Sequence, residues 1–322
     1  MSPPIPPRPL WPARSARSVR GVALVRSVLL GLVMVSTLAS TSPTRVRACA
    51  TCSVGDRTLT SIGAAQPYRG RVRLSLGATY REDGVGTPGV DALELRELRL
   101  ELGAAYSPRS WLTLTVTAPL LRRDLTFANL ARDVSWNFGD MTVLARGVLF
   151  RDRALAPRHL LSVQAGLELP TARAQRDASQ QVLPLELQAG SGSWDPSIGL
   201  TYAHFADPWS AYVSSVLSVP TRGFDRSRGG ASLSTVVNLQ VQPSAAFGIR
   251  AGALVRVDAT SREGGRVEPD SGGVIAYLTM GMIASPVTDL TVQAGVSVPV
   301  LNDLRGQHRE GLAVNLGVSL DL

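Results

Sequence analysis

Two cysteines, Cys49 and Cys52, are the only thiols in a chain of 322 residues, and they sit in the short motif Cys49-Ala50-Thr51-Cys52. A pair at this spacing can close a small disulfide, stay as two idle thiols, or offer two thiolates to a metal. No further cysteine or histidine lies near to complete a tetrahedral site. Lipid attachment at Cys49 is a further use, although Arg47 suits the required context poorly. Haem attachment is excluded, because Ser53 stands where the five-residue motif needs histidine. The three histidines, His159, His204 and His308, are scattered, and no serine pairs with one of them in a nucleophile motif. The reading is therefore of a non-enzyme that carries no cofactor.

Charge offers more. Glu97, Arg99 and Glu101 alternate with Leu98, Leu100 and Leu102, and Arg250, Arg256 and Asp258 sit among apolar residues with the same phase. Residues two apart share one face of a strand. Arg73, Arg146 and Glu168 fall on the equivalent face of their own segments. Alternating signs of this kind could cross-link an inner wall or line a passage and bias it by charge, rather than perform chemistry.

These faces require strands to carry them. Alternation with period two recurs in twelve segments, 71–80, 92–106, 111–120, 140–150, 159–171, 194–205, 209–221, 231–241, 246–259, 273–284, 290–300 and 311–322, and it is a strand signal. Five of them start after short polar turns such as Ser107-Pro108-Arg109-Ser110. Four of those five end at a proline, namely Pro119, Pro170, Pro220 and Pro299. Because proline cannot donate to a ladder, it is expected at strand ends. Connections alternate between short turns and longer charged loops.

One face collects Val163, Ala165, Leu167, Ile249, Ala251 and Leu316, while the other collects the charged residues above with Gln164. Aromatic residues gather toward the short turns, at Tyr106, Trp111, Phe150, Phe205 and Trp209, as at a membrane interface. The opposite girdle is thin, at Tyr80, Phe127 and Trp136.

The stated net charge of +8 does not point to a polyanion. Residues 1–48 carry seven arginines and no acid, so removing those seven from 33 basic residues leaves 26 against 25 acidic ones. The same segment has a secretory layout, with an arginine-rich start, an apolar stretch from Val28 to Leu38 and small residues after it. That stretch falls short of the roughly 20 residues a spanning helix needs.

An even number of strands, short turns on one side, long loops on the other and a secretory leader describe an outer-membrane barrel. Segments of about 9–11 residues are long enough to cross it. Closure matters because hydrocarbon offers no partner to an unpaired backbone group.

The segment from Gly139 to Tyr202 contains Gly139-Asp140, then Leu169-Pro170-Thr171, then Gly190 through Pro196 with Gly192, Trp194 and Asp195. Taken together these resemble the outer-membrane transporter-like family annotated for the MetA pathway of phenol degradation. The resemblance implies a barrel that passes small molecules, aromatic ones among them. Alanine stands at Ala172, where that family commonly has glycine. On physical grounds the same residues also describe a rigid loop, with Asp195 capping a turn.

The expectation is an all-β chain in three parts. Residues 1–48 are a signal peptide and processing region, 49–69 a periplasmic stretch with the cysteine pair, and 70–322 an antiparallel transmembrane β-barrel of about twelve strands. Periplasmic turns are short and extracellular loops longer. The function expected is a channel or transporter for small solutes, aromatic or hydrophobic ones among them, in the cell outer membrane. The alternatives are a membrane-embedded hydrolase or acyltransferase, for which His204 has the right phase, and a non-conducting structural or adhesive barrel. Expected partners are outer-membrane lipid, the barrel-assembly machinery and an unidentified solute, with no nucleic acid.

Overall fold

The computed structural model describes residues 68–86, 93–127, 131–154, 156–176, 180, 182, 188–306 and 308–322. The leader, Cys49 and Cys52 lie outside the described residues. Fifteen strands are described: β1 Val72–Val85, β2 Leu93–Arg109, β3 Leu112–Phe127, β4 Arg132–Phe138, β5 Met141–Arg151, β6 His159–Leu169, β7 Asp195–Ala206 and β8 Trp209–Ser218. They continue with β9 Ser232–Ser244, β10 Phe247–Asp258, β11 Arg262–Glu263, β12 Arg266–Val267, β13 Gly273–Val287, β14 Leu290–Leu304 and β15 Arg309–Asp321.

Twelve of them close a ring. The order runs β2-β1-β15-β14-β13-β10-β9-β8-β7-β6-β5-β3, and β3 pairs back onto β2. Every described pairing is antiparallel. Short turns follow at one end, where Arg109 faces Leu112, Ala206 faces Trp209, Ser244 faces Phe247 and Val287 faces Leu290. Each pair leaves two residues in its turn. The remaining connection at this end, 152–158, is longer. Asp152 organises it by accepting the N–H groups of Arg158 and His159 at 2.8 and 3.0 Å. Those bonds, that from His159 first, hold the Asp152 carboxyl below its usual range.

Two of the four prolines depart from the expected position. Pro170 and Pro220 fall beyond the ends of β6 and β8, but Pro119 lies inside β3 and Pro299 inside β14. The ladder accommodates each of them. In antiparallel pairing the N–H and C=O of one residue point to the same neighbour. Pro119 gives its carbonyl to the Gly139 N–H at 2.9 Å and has no N–H to return, and there β4 and β5 separate. Thus β4 and β5 read as one strand broken at Gly139-Asp140, the first half on the outer part of β3 and the second on its inner part. Pro299 pairs with Tyr277 beside a register shift, the place where a sheet tolerates proline.

The outward face is apolar, with Leu102, Ile249, Met280, Met282 and Leu316 all at least half exposed. Aromatic rings mark both rims of this band. Tyr106, Trp111, Phe150, Tyr202 and Trp209 are exposed near the short turns, and Tyr80, Trp136, Phe138 and Trp194 near the long loops. Phe205 departs from the expected girdle, since it packs on an inner cluster of Leu160, Ala203, Tyr212, Val216 and Val236. The Phe127 side chain lies outside the described residues. Tyr106 pairs with Val72, and Tyr80 lies farther along the same strand, beside Leu98. At ~3.3 Å per residue and a tilt of ~40°, the two rings stand roughly 20 Å apart along the barrel axis.

Candidate functional site

Inside the barrel the side chains form three levels. The middle level borders a cavity of about 410 Å³. Leu144, Tyr212, Val216, Val236 and Leu254 on β5, β8, β9 and β10 give it an apolar patch, flanked on the same strands by Thr142, Asn238 and Arg250. The facing side is polar, from Ser75, Thr79, Arg99, Glu101, Gln293 and Asn315 on β1, β2, β14 and β15. Each inward position follows from strand phase, and the apolar ones break the expected polar-inside alternation. Among the described residues, Gln293 Oε1 and Gln240 Nε2 are buried without a hydrogen-bond partner.

Toward the long loops lies a packed level. Arg123 Nε reaches Glu97 Oε2 at 2.7 Å, and Arg81 Nε reaches Glu97 Oε1 at 3.2 Å. Arg81 also faces Asp83 at 3.4 Å. Beside them, in register with Asp83, Glu310 accepts the Tyr277 hydroxyl at 2.6 Å, and Arg256 joins Glu310 to Asp258. Leu95, Leu121, Leu125 and Ile275 fill the same level and are nearly inaccessible. The Arg123–Glu97 pair, with side chains 7 % and 3 % exposed, stabilises only while both partners are present.

Toward the short turns, Arg71 and Arg73 both bind Asp321, and Arg146 donates to Ser162 at 3.2 Å. Ser107 and Thr113 share a hydrogen bond, as do Thr201 and Ser214.

Of the residues singled out in the sequence, Arg73, Arg99, Glu101 and Arg250 border the cavity. Arg99 faces Glu101 at 3.5 Å. Glu97, Arg256 and Asp258 belong to the packed level instead, and Glu168 stands in register with Thr142 and Asp195. Arg123 and Glu310 were not anticipated. Arg123 lies beyond the expected strand 111–120 and Glu310 just before the expected strand 311–322, so the alternation gives neither a face.

The residues of the family-like motif form one strap at the outer end of β5 and β7. Asp140 is buried and accepts Ala172 N–H at 2.7 Å and Gly192 N–H at 3.0 Å. Asp195 accepts the Ser191 and Ser193 hydroxyls and the Thr221 N–H. Thr171 Oγ1 accepts Met141 N–H at 2.8 Å. Gly192 has φ +64° with the Phe224 ring where a Cβ would be, and a Cβ at Gly190 would meet the Asp140 carboxylate at 2.4 Å. Both positions require glycine. Leu169 ends β6, Pro170 is exposed, Trp194 is 54 % exposed and Pro196 is the second residue of β7. Ala172 stands in place of the family's glycine without positive φ and gives its N–H to Asp140.

His204, the one histidine with a phase suited to outward chemistry, lies tilted by 37° beside His159, 4.7 Å between ring centroids. His159 Nδ1 shares a hydrogen bond with the Tyr202 hydroxyl at 2.7 Å, whereas His204 Nδ1 has no hydrogen-bond partner among the described residues. No serine hydroxyl joins the pair among the described hydrogen bonds. Among the described residues no group of three metal-ligating side chains comes together.

No protein-family model matches the sequence, and no curated protein does. Solved structures do. A COG4313 outer membrane channel from Pseudomonas putida F1 superposes with a TM-score of 0.61 at 14% identity, over 80% of this chain and 97% of that one. The CymD monoaromatic hydrocarbon channel gives 0.46 at 12% identity, over 80% and 90%. The P. putida toluene transporter TodX gives 0.45 at 11%, over 79% and 90%. The chain shares the fold of the first of these, a closed antiparallel barrel of the kind found in outer-membrane channels.

Proposed function

We propose that this chain is an outer-membrane channel for small solutes, with small aromatic or hydrophobic molecules the class its lumen fits best. The observation that carries the reading is the two-sided cavity. At about 410 Å³ it lies within the roughly 300–1,000 Å³ range of small-molecule sites. Its apolar side, centred on Tyr212, Val216, Val236 and Leu254, offers dispersion contacts to a ring or short chain. The polar side keeps water available for entry and release, and Arg73, Arg99, Glu101 and Arg250 set a local charge bias. The fold shared with a solved outer membrane channel supports the same reading. So does the resemblance of the Gly139–Tyr202 residues to the phenol-pathway transporter family, from which phenol-like solutes are the narrower suggestion. The secretory leader, removed on export, delivers the chain to lipid and to the assembly machinery.

A non-conducting barrel is the second reading, favoured by the packed level of Arg123, Glu97, Glu310 and Arg256 above the cavity. Proteoliposomes separate the two. The channel reading expects faster entry of a small phenol than of a sugar of similar mass, with measurable single-channel conductance. Neither conductance nor faster entry than in protein-free vesicles would leave the structural barrel.

A further inference from the structure

The lipid-facing rim offers a second binding site, independent of the lumen but resting on the outer-membrane placement proposed above. On β1 to β4 the rows of paired residues can be followed outward. Tyr80, Leu98, Arg122 and Trp136 stand side by side, then Glu82, Arg96, Asp124 and Val134. Strand phase puts both rows on the outward face. Tyr80 and Trp136 are girdle aromatics, 40 % and 54 % exposed. Arg122 therefore sits at headgroup depth on the wall that faces lipid.

Three guanidinium groups meet around this point. Arg132 grips Asp124 with both arms of its fork. Arg96 stands in register with Asp124 and reaches Glu82 only at 3.6 Å, with 58 % of its side chain exposed. The Arg122 side chain makes no hydrogen bond or ion pair among the described residues, and its charge acts on the nearby Asp124. Glu82 is further engaged by the Tyr80 hydroxyl at 2.7 Å, and Glu94 is exposed one row farther out. An outward arginine near the membrane interface is tolerated, but it keeps its charge and seeks an anion there.

We propose that Arg96, Arg122 and Arg132 hold a phosphate of a phosphorylated saccharolipid, the lipid A portion of lipopolysaccharide, against the outer rim of β2–β4. A phosphate oxygen pair suits the guanidinium fork. The acyl chains would lie along the apolar wall below, past Leu98 and Leu120, and the sugars beside the Tyr80 and Trp136 rings. This site fixes the depth and tilt of the barrel in the outer leaflet and places bound lipid beside the break between β4 and β5.

The test uses the full chain, folded in neutral detergent and checked by heat-modifiable migration. Bisphosphorylated lipid A, its dephosphorylated form and phosphatidylglycerol are titrated separately and bound lipid is read by native mass spectrometry. Lipid A should bind, with Arg122→Gln weakening it roughly tenfold. Arg122→Lys, which keeps the charge but not the fork, should fall between. Arg109→Gln at the opposite rim should leave binding unchanged. No binding of lipid A, equal binding of the dephosphorylated form, or wild-type affinity in Arg122→Gln would overturn the site. Phosphatidylglycerol bound as tightly and with the same dependence on Arg122 would overturn the saccharolipid assignment. Conductance recorded on the same preparations keeps the two proposals apart. A conducting barrel without lipid A fails only this one, and a silent barrel that binds lipid A fails only the channel.

Discussion

Arg73 on the first strand holds Asp321 on the last through two hydrogen bonds, 2.7 and 2.8 Å long. Arg71 adds a second grip on the same carboxylate. The ring closes between these strands, so the contact ties the seam where β1 meets β15. Both side chains are largely shielded, at 6 % and 13 % exposure. Asp321→Asn leaves two arginines without their anion and should cost about 3 kcal/mol. Arg73→Gln, with Arg71 still in place, should cost only about 1 kcal/mol. The mid-point of urea unfolding in detergent measures both, and equal effects would remove the shared clamp.

The two faces make separate demands. Arginine at Val163 or Ala251 would point into lipid and should cost roughly 2–4 kcal/mol. Arginine at Asn315, which borders the cavity between Thr79 and Gly295, should be tolerated within about 1 kcal/mol. Asn315 is a cleaner inward site than Gln164, whose register partner is the buried Arg146. Equal losses at inward and outward positions would overturn the face assignment.

Alternation made the barrel legible in the sequence because a closed membrane sheet must be apolar outside at every second residue. The twelve ring strands, the turn-rich end and the rows of Arg99 and Arg250 all follow from that period. What the period could not reveal were interactions between strands distant in the chain. Glu310 on β15 reaches Tyr277 on β13 and Arg256 on β10 past the strands between them, and Asp140 meets Gly192 across the β5–β7 wall. Proline misled for a local reason. Its missing N–H matters only on the side it faces, and at Pro119 that side is already broken.

The strap can be loosened without touching the barrel. Asp140→Ala leaves the Ala172 and Gly192 N–H groups without their acceptor, at a cost of about 3 kcal/mol shared among local contacts. Limited proteolysis should then cut within 170–194 much faster than in wild type, while the cooperative melt of the barrel moves little. Unchanged proteolysis would show that the strap does not depend on this carboxylate.

Above the cavity, Glu310 joins Tyr277 and Arg256 in a desolvated group. Glu310→Gln should destabilise by about 3 kcal/mol because Arg256 loses one of its two anions. Paired with Arg256→Gln, the combined cost should be smaller than the sum. If this level narrows the passage, the double variant should also conduct more than wild type in a planar bilayer. Stable folding with unchanged conductance would place the narrow point elsewhere.

Charge selectivity separates Arg250 from Arg256, which strand phase alone treats alike. Arg250 borders the cavity, and Arg256 is tied to Glu310 and Asp258. A guanidinium group beside water keeps its charge at any working pH and raises the local anion concentration. At Arg256 the carboxylates of Glu310 and Asp258 cancel much of that field at short range. Arg250→Gln should therefore shift the reversal potential in a salt gradient toward cations. Arg256→Gln should instead act through stability and conductance and move the reversal potential less. The Arg250 effect should shrink as salt rises, since the screening length falls from ~10 Å at 0.1 M to ~3 Å at 1 M. A larger shift from Arg256→Gln than from Arg250→Gln would mean that ions pass the packed level and not the open side of the cavity.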